Sequence, residues 1–326
     1  MKAAVRDTFG SPEDVVELRE LDAPTPAEGE VLVRVRATSV NIADWYAVTG
    51  RPFIARMQTG LRGPKSNRIG TDYAGVVEAL GPGVTEFAVG DEVFGGRDGA
   101  FAEFVCPRVD GSITPKPADV SFEEAAAVPV AGLTALQALR DKGQLQPGRK
   151  VLIQGASGGV GTFAVQIAKA LGGIVTAVCH ARNVEQAQSL GADRVVDYTR
   201  EDFTRSDERF DLMIDIAGTR SWRDCARVLA PKATVVVVGG PRASRFLGPL
   251  GHVAGMRLGS IRSDRRTVFF VATFNRPDMQ TLRELVESGK VRSAVDRRFP
   301  LDEIAAALTY QGEGHPGGKI VVDISS

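Results

Sequence analysis

The chain is poor in the residues that carry most metal and disulfide chemistry. Its 326 residues include three Cys, three His, four Tyr and two Trp. Cys106, Cys179 and Cys225 are too few and too scattered for a disulfide framework or a four-thiolate zinc knot, and they suit a reducing cytosol. Net charge is also missing: 40 Lys and Arg balance 40 Asp and Glu. That excludes a disordered acidic or basic tail and argues against nucleic acid as the partner. No apolar run reaches the roughly 18 residues of a membrane helix. Lys2, Arg6, Asp7, Glu13 and Asp14 break up the first fifteen residues, so no secretory signal is expected there, and the expected location is cytoplasmic. What the chain has in excess is Gly, 36 residues or about 11% against a typical ~7%.

Residues 1 to about 120 read as β-rich. Strands are predicted at Lys2–Arg6, Val15–Leu21, Glu30–Val40, Ala74–Leu80, Asp91–Phe94 and Ala100–Cys106, separated by Gly-containing turns. Short strands of this kind predict a small barrel or sandwich. After Pro117 the rhythm changes. Ser121 caps a helix through Glu123 and Glu124, and strands then alternate with helices. The predicted strands are Val151–Gln154, Ile174–Val178, Arg194–Val196, Asp211–Ile216, Thr234–Val238 and Thr267–Ala272. Helices are predicted at Val160–Leu171, Val184–Leu190, around Phe203 and at Trp222–Leu229. Near-continuous apolar strands alternating with helices predict an α/β fold with a six-stranded, doubly wound parallel sheet of the dinucleotide-binding (Rossmann) type. The tail reads as a helix at Pro277–Ser288, a short helix at Leu301–Thr309 and a strand at Lys319–Asp323. It is expected to pack back on the first domain, giving domains at 1–122, 123–274 and 275–326.

The most specific motif runs from Val151 to Gly161. A strand ends at Gln154, Gly155, Gly158 and Gly161 follow at G-x-x-G-x-x-G spacing, and a helix begins at once. Missing side chains allow a tight turn and let a pyrophosphate approach the helix N-terminus, where free N–H groups and the helix dipole favour anions. Gly155, Ser157, Gly158, Gly159, Val160 and Gly161 are therefore candidate cofactor residues. A nicotinamide enzyme that prefers NADH places an acid after the second strand to hold the ribose 2′-OH. Residues 178–183 hold no acid, but they do hold His180 and Arg182, which suits the 2′-phosphate of NADPH. Tyr198, after the third strand, offers a further hydroxyl. The plainer alternative for Arg182 is a solvated cap residue.

The sequence resembles the zinc-independent, quinone oxidoreductase-like branch of the medium-chain dehydrogenase/reductases. The matching pieces are Ser39–Asp44, Ala79–Phe94, Ala131–Leu136, the Gly155–Gly161 loop, Leu190–Asp193 and Gly317–Val321, in one order along nearly the whole chain. The resemblance implies a chaperonin-10-like β-barrel catalytic domain beside the Rossmann domain, with a C-terminal return to the barrel. Zinc members of that family carry Cys where this chain has Asn41, His where it has Thr71 and a third ligand near Val130. The lobe with four closely spaced Cys is also missing, and His180, His252 and His315 lack ligand spacing. A metal-free mechanism is expected.

Without a Lewis acid nothing ionises an alcohol, whereas a quinone or a conjugated C=C is already electrophilic. The expectation is an NADPH-dependent oxidoreductase that passes hydride, in the cleft between its two domains, to a quinone or an α,β-unsaturated carbonyl. The resemblance marks Asn41, Asp44 and Tyr46 as the active-site segment. Asn41 would orient a substrate carbonyl or the cofactor ribose. Tyr46 is the best available proton or hydrogen-bond donor or else packs on an apolar helix face, and Asp44 would hold the loop. Thr134 matches the family position beside the nicotinamide, and Lys319 matches one near the cofactor phosphate, although a Lys opening a strand is often surface. Gly239, Gly240 and Asn275 lie where cofactor contacts gather. Alternatives are a zinc-free alcohol dehydrogenase, a 2-enoyl-thioester reductase or a non-catalytic NADPH-binding protein.

Two stretches are strongly basic. Residues 51–68 hold Arg51, Arg56, Arg62, Lys65 and Arg68 with no acid, and residues 241–266 also net +5, so the rest of the chain nets −10. They read either as solvated loops or as a rim of the interdomain cleft that attracts the cofactor phosphates or an acidic substrate. A third option for 241–266, which also carries Phe246, Leu247 and Leu250, is contact with an anionic membrane. The apolar strand near 267–271 would lie at a sheet edge and invite pairing in a homodimer, as the resemblance also implies.

Overall fold

The computed structural model describes residues 1–53, 56, 60–241, 249–314 and 316–324. Arg242, Arg245, Phe246, Leu247 and His315 lie outside the described residues. The chain divides into two compact units. Unit 1 combines residues 1–133 and 273–326, and unit 2 is the continuous stretch 134–272.

Unit 1 is built on a seven-stranded mixed sheet. Its path runs Val295–Pro300, Lys319–Asp323, Val31–Val40, Asp72–Leu80, Glu92–Gly96 and Ile113–Pro115, with Phe104–Val105 also pairing to Val31–Val40. Alternation explains the central strand: Val31, Val33 and Val35 are buried while Arg34 and Arg36 are exposed. Lys2–Val5 and Glu17–Glu20 form a separate antiparallel pair. The core gathers Val33, Tyr73, Val93, Phe101, Leu308 and Ile320, so the last 54 residues supply part of it. The tail therefore belongs to unit 1. The first boundary shifts, however. Residues 123–133 join unit 1 because the helix Phe122–Ala126 packs on this sheet, and Ser293 Oγ donates to Glu124 O at 2.7 Å. Ser121 caps that helix as expected, accepting from Glu124 N–H at 3.2 Å.

Unit 2 contains a six-stranded sheet in which every neighbouring pair is parallel. From one edge the order is Arg194–Asp197, Ile174–Cys179, Lys150–Gln154, Phe210–Asp215, Leu229–Val237 and Arg266–Phe269. By chain order this is 3-2-1-4-5-6, the doubly wound arrangement whose switch point opens beyond the carboxyl ends of the first and fourth strands. Leu152, Ile153, Met213, Ile214, Val235 and Val236 are wholly buried, as strands covered on both faces require.

Several elements differ from the sequence-based expectation. Val15 belongs to a short helix, Pro12–Val15, where a strand is predicted. Only Phe104–Val105 of the predicted strand 100–106 forms a ladder. The edge strand is Arg266–Phe269, shorter than predicted. Within the second basic stretch a twelve-residue helix, Pro249–Ser260, buries Val253 and Met256; four glycines between 248 and 259 and a scattered apolar pattern obscure it in the sequence. Among the described residues no helix is long and apolar enough to cross a membrane.

Candidate active site

In unit 1 the sheet register brings four polar residues to one end of three adjacent strands. Ile320 pairs with Val40 and Ser39 with Asp72, so Lys319 comes to lie beside Asn41, one residue beyond the central strand. Lys319 Nζ donates to Asn41 Oδ1 at 2.5 Å and reaches Asp72 Oδ2 at 3.4 Å. Asn41 Nδ2 and Ser39 Oγ also donate to Asp72 Oδ2, at 2.8 and 2.7 Å. Val130 N–H donates to the other carboxylate oxygen at 3.0 Å. The Asn41 amide orientation is therefore fixed by an ammonium on its oxygen and a carboxylate on its nitrogen.

Asn41 also caps the helix Ile42–Thr49, and Asp44 reaches back to accept from Asn41 N–H at 2.8 Å. Thr71 Oγ1 donates to the second Asp44 oxygen at 3.0 Å. Asp44, Asp72 and Lys319 are at most 3% exposed, so water does little to screen them. Burial pushes the Asp44 carboxyl up to about 7, against the opposing bond from Asn41 N–H, with the Asp72 charge adding to the rise. Burial likewise pushes the Lys319 ammonium down, while Asp72 and then Asp44 pull it back up. Tyr46 is half-buried on the same helix, edge-on to Trp45 at 5.6 Å between ring centres. Trp45 packs on Gly312, where any Cβ would strike its indole.

In unit 2 the strand Lys150–Gln154 ends at Gly155, whose φ of 86° only glycine adopts without strain. Gly158 starts the helix Gly159–Ala170, and the first N–H groups of a helix have no partner within it. A Cβ on Gly161 would press into the backbone of Gly155 and Ala156, at 2.6 Å from the Ala156 carbonyl carbon. A Cβ on Gly158 would meet nothing nearer than 3.9 Å, so that side of the loop is open. The strand Ile174–Cys179 leads to His180, whose Nδ1 accepts from Arg182 N–H at 3.3 Å. The rings of His180 and the exposed Tyr198 meet edge-on at 5.7 Å. Arg182 is exposed and Ser157 and Val160 are half-buried. Gly239 and Gly240 follow the fifth strand, with no room for a Cβ against Ile216 O and Pro249 respectively. Thr134 is half-buried in the helix Pro129–Leu136, inside which the two units divide.

Two expected cofactor residues have other partners. Lys319 is 2% exposed and spends its ammonium on Asn41 and Asp72, so it is neither a surface residue nor a free phosphate ligand. Asn275 belongs to unit 1 and caps the helix Arg276–Glu287: its Oδ1 accepts from Asp278 N–H at 2.9 Å and its Nδ2 donates to Asp278 Oδ2 at 2.8 Å. The basic rim is likewise partly internal bracing. Arg56 lies over Phe9 and Phe53, Arg68 donates to the carbonyls of Gly99 and Phe104, and Arg265 to those of Leu229 and Ala230. The sequence reading missed Asp72 entirely and treated Thr71 only as a missing ligand. Their role depends on strand register, which no local pattern displays.

Comparison with known proteins agrees with this architecture. Residues 27–138 match the family model of the alcohol dehydrogenase GroES-like domain, and residues 190–322 match that of zinc-binding dehydrogenase. The chloroplast envelope quinone oxidoreductase homolog of Arabidopsis thaliana is 33% identical, over 99% of this chain and 98% of that one. The 2-methylene-furan-3-one reductase of Solanum lycopersicum is 31% identical, over 99% of this chain and 79% of that one. The structure of Escherichia coli quinone oxidoreductase complexed with NADPH superposes with a TM-score of 0.81 at 25% identity, covering 99% of this chain and 100% of that one. Glycine-loop Rossmann unit, GroES-like unit with its C-terminal return, and full-length identity together show that the chain is an oxidoreductase of the medium-chain dehydrogenase/reductase family.

Proposed function

We propose that this protein is an NADPH-dependent reductase of quinones or α,β-unsaturated carbonyls that works without zinc. The observation that carries the reading is the Lys319 ammonium standing between Asn41 and Asp72. The positions that the family resemblance assigns to zinc ligands hold an amide, a hydroxyl and a backbone N–H, and the cation beside them is already a lysine. Such a donor set does not fit Zn²⁺: it offers neither thiolate nor imidazole, and its two close carboxylates are engaged, Asp72 by Lys319 and Asp44 by Asn41 N–H and Thr71 Oγ1. A conjugated acceptor needs no Lewis acid to accept hydride, only donors for the developing oxyanion and one proton.

Bound NADPH supplies the hydride. Residues Gly155–Gly161 would hold the pyrophosphate on the N–H groups of the helix Gly159–Ala170. His180, with Tyr198 beside it, and Arg182 would hold the 2′-phosphate, and residues 178–183 themselves carry no acid. Thr134 and Gly239 would border the nicotinamide end. The Asn41 amide, held by Lys319 and Asp72, presents its remaining hydrogen to the substrate carbonyl oxygen. Tyr46 delivers the proton. Asp44 holds Asn41 and Thr71 in place.

The test is a substrate panel with NADPH and NADH, with and without a chelator. Turnover of a simple quinone or a 2-alkenal with NADPH, undiminished by chelation, is expected; loss on chelation overturns the zinc-free reading. Arg182→Glu is expected to cut the preference for NADPH over NADH. Tyr46→Phe is expected to lower kcat by about 10²-fold, the lower end of general-acid effects; an unchanged kcat removes Tyr46 as the donor. We further propose a cytoplasmic homodimer. The free, buried Cys106, Cys179 and Cys225 support the location. The edge strand Arg266–Phe269, with exposed Ile261 and Val271 nearby, supports the dimer. Light scattering of Val268→Lys tests it, with a shift to monomer expected.

A further inference from the structure

At the carboxyl end of the fourth strand of unit 2, Asp215 is fully buried. Its Oδ2 lies 2.6 Å from His252 Nε2, on the helix Pro249–Ser260, and its Oδ1 accepts from Gly218 N–H at 2.9 Å. His252 is itself only 9% exposed in its side chain. Nothing in the proposed chemistry uses this pair.

Its surroundings give it a task. The segment after Asp215 lies directly against the first glycine of the phosphate loop: a Cβ on Gly155 would touch Ala217 at 3.3 Å. Gln154 Nε2 donates to Thr219 Oγ1 at 2.6 Å, and Ile216 N–H donates to Gln154 O at 3.1 Å. On its other side the segment meets the loop after the fifth strand. A Cβ on Gly218 would strike Gly240 Cα at 2.5 Å, Pro241 Cδ at 2.9 Å and His252 Cδ2 at 3.1 Å. Val238 N–H also donates to Asp215 O at 2.8 Å. From Gly155 to His252 the layers follow without a gap: phosphate loop, residues 216–219, residues 239–241, helix. A buried carboxylate is costly unless paired. By bonding both Gly218 N–H and His252, Asp215 sets the height of residues 216–219 against Gly155.

We propose that Asp215 and His252 form a latch that positions the floor of the nucleotide crevice, so that His252 is a positioning residue for cofactor binding. This rests on the nicotinamide-cofactor reading above. The helix Pro249–Ser260 then acts as the outer wall of the crevice, held by the Asp215–His252 bond at its first turn, while Val253 and Met256 hold it to the core. The latch touches no reacting atom, so its loss should move cofactor affinity and leave the chemical step alone.

The experiment measures the NADPH dissociation constant by fluorescence titration on the full chain, with kcat and KM beside it. His252→Phe fills the space and removes the donor. It is expected to weaken NADPH binding about tenfold, in line with losing a hydrogen bond to a charged group, and to raise KM for NADPH with kcat within twofold. His252→Gln keeps an N–H for Asp215 and is expected to restore binding to within about twofold of the parent. Val253→Ala, which loosens the same helix through its apolar face, serves as the control and is expected to lower thermal stability without that change in affinity. If His252→Phe does not fold, Asp215→Asn, which keeps the size and removes the charge, takes its place with the same expected loss. Unchanged affinity in the folded variant overturns the latch, as does an equal loss in Val253→Ala. A parent chain that binds neither NADPH nor NADH overturns the cofactor reading itself and the latch with it.

Discussion

The two units build their centres from opposite materials. Unit 1 packs two carboxylates, an ammonium and an amide into a volume that water barely reaches. Unit 2 builds by omission, with glycines where side chains would block the approach of a phosphate or of another backbone segment. The first solution depends on charges meeting at exact distances, because each buried charge is costly without its partner. The second depends on backbone, and tolerates little added volume where segments touch. A single substitution should therefore fail differently in each unit.

The largest effect is expected from Lys319→Met. It leaves Asp72 buried with no cation, and the cost expected of breaking a buried pair is about 3–5 kcal/mol. Adding Asp72→Asn should recover much of it, as denaturant unfolding would show; if the double variant is no better than the single, the ammonium matters for its packing and not its charge. Next comes Asp44. Its folded value, raised to about 7 from 3.8, means the buried carboxyl prefers its proton. Its contribution to stability is whole below the unfolded value, falls as pH rises and levels off above about 7. Asp44→Asn keeps the shape and should flatten that fall, by a few kcal/mol at most. Thermal midpoints of both chains across pH 4 to 8 (about four units, spanning both values) check it, and parallel curves would show that Asp44 stays ionised.

In unit 2, Gly161→Ala should cost about 1–3 kcal/mol, since its Cβ meets only backbone and cannot be relieved by turning a side chain. Gly158→Ala should cost almost nothing in stability, because its Cβ has open space. On the proposed cofactor reading it should nonetheless weaken NADPH binding, since that space is where the pyrophosphate would approach. Calorimetry and nucleotide titration of the two variants side by side separate the roles. Equal melting losses would break the contrast between a packing glycine and an access glycine.

The same contrast explains what the sequence could disclose. Unit 2 was largely legible. Strand, glycine loop and helix lie within 21 residues, from Lys150 to Ala170, and alternating elements announce a parallel sheet. The six strands fall close to their predicted places because apolar runs bounded by turns mark them. The centre of unit 1 was not legible, because Asn41 and Lys319 stand 278 residues apart and meet through strand register alone. Lys319 looked like a phosphate ligand for the same reason: a lysine opening a strand gives no sign of which neighbour awaits it. Asn275 and Asp278 form a local capping pair whose spacing was open to view, yet the expectation of a cofactor contact took precedence. The latch between Asp215 and His252 crosses the glycine-rich region after the fifth strand, where neither periodicity nor a motif points back to the fourth.

Because the strand Lys319–Asp323 lies between Val31–Val40 and Val295–Pro300, unit 1 is sewn shut by a strand made long after the one at its centre. Unit 2 is uninterrupted and has all its strands long before that point, so it is free to fold first, as N-terminal-to-C-terminal synthesis favours. Until Lys319 arrives, Asp72 and Asn41 wait without their cation. The charge cluster thus doubles as a checkpoint in biosynthesis: unit 1 acquires its buried centre only once Lys319 has been made.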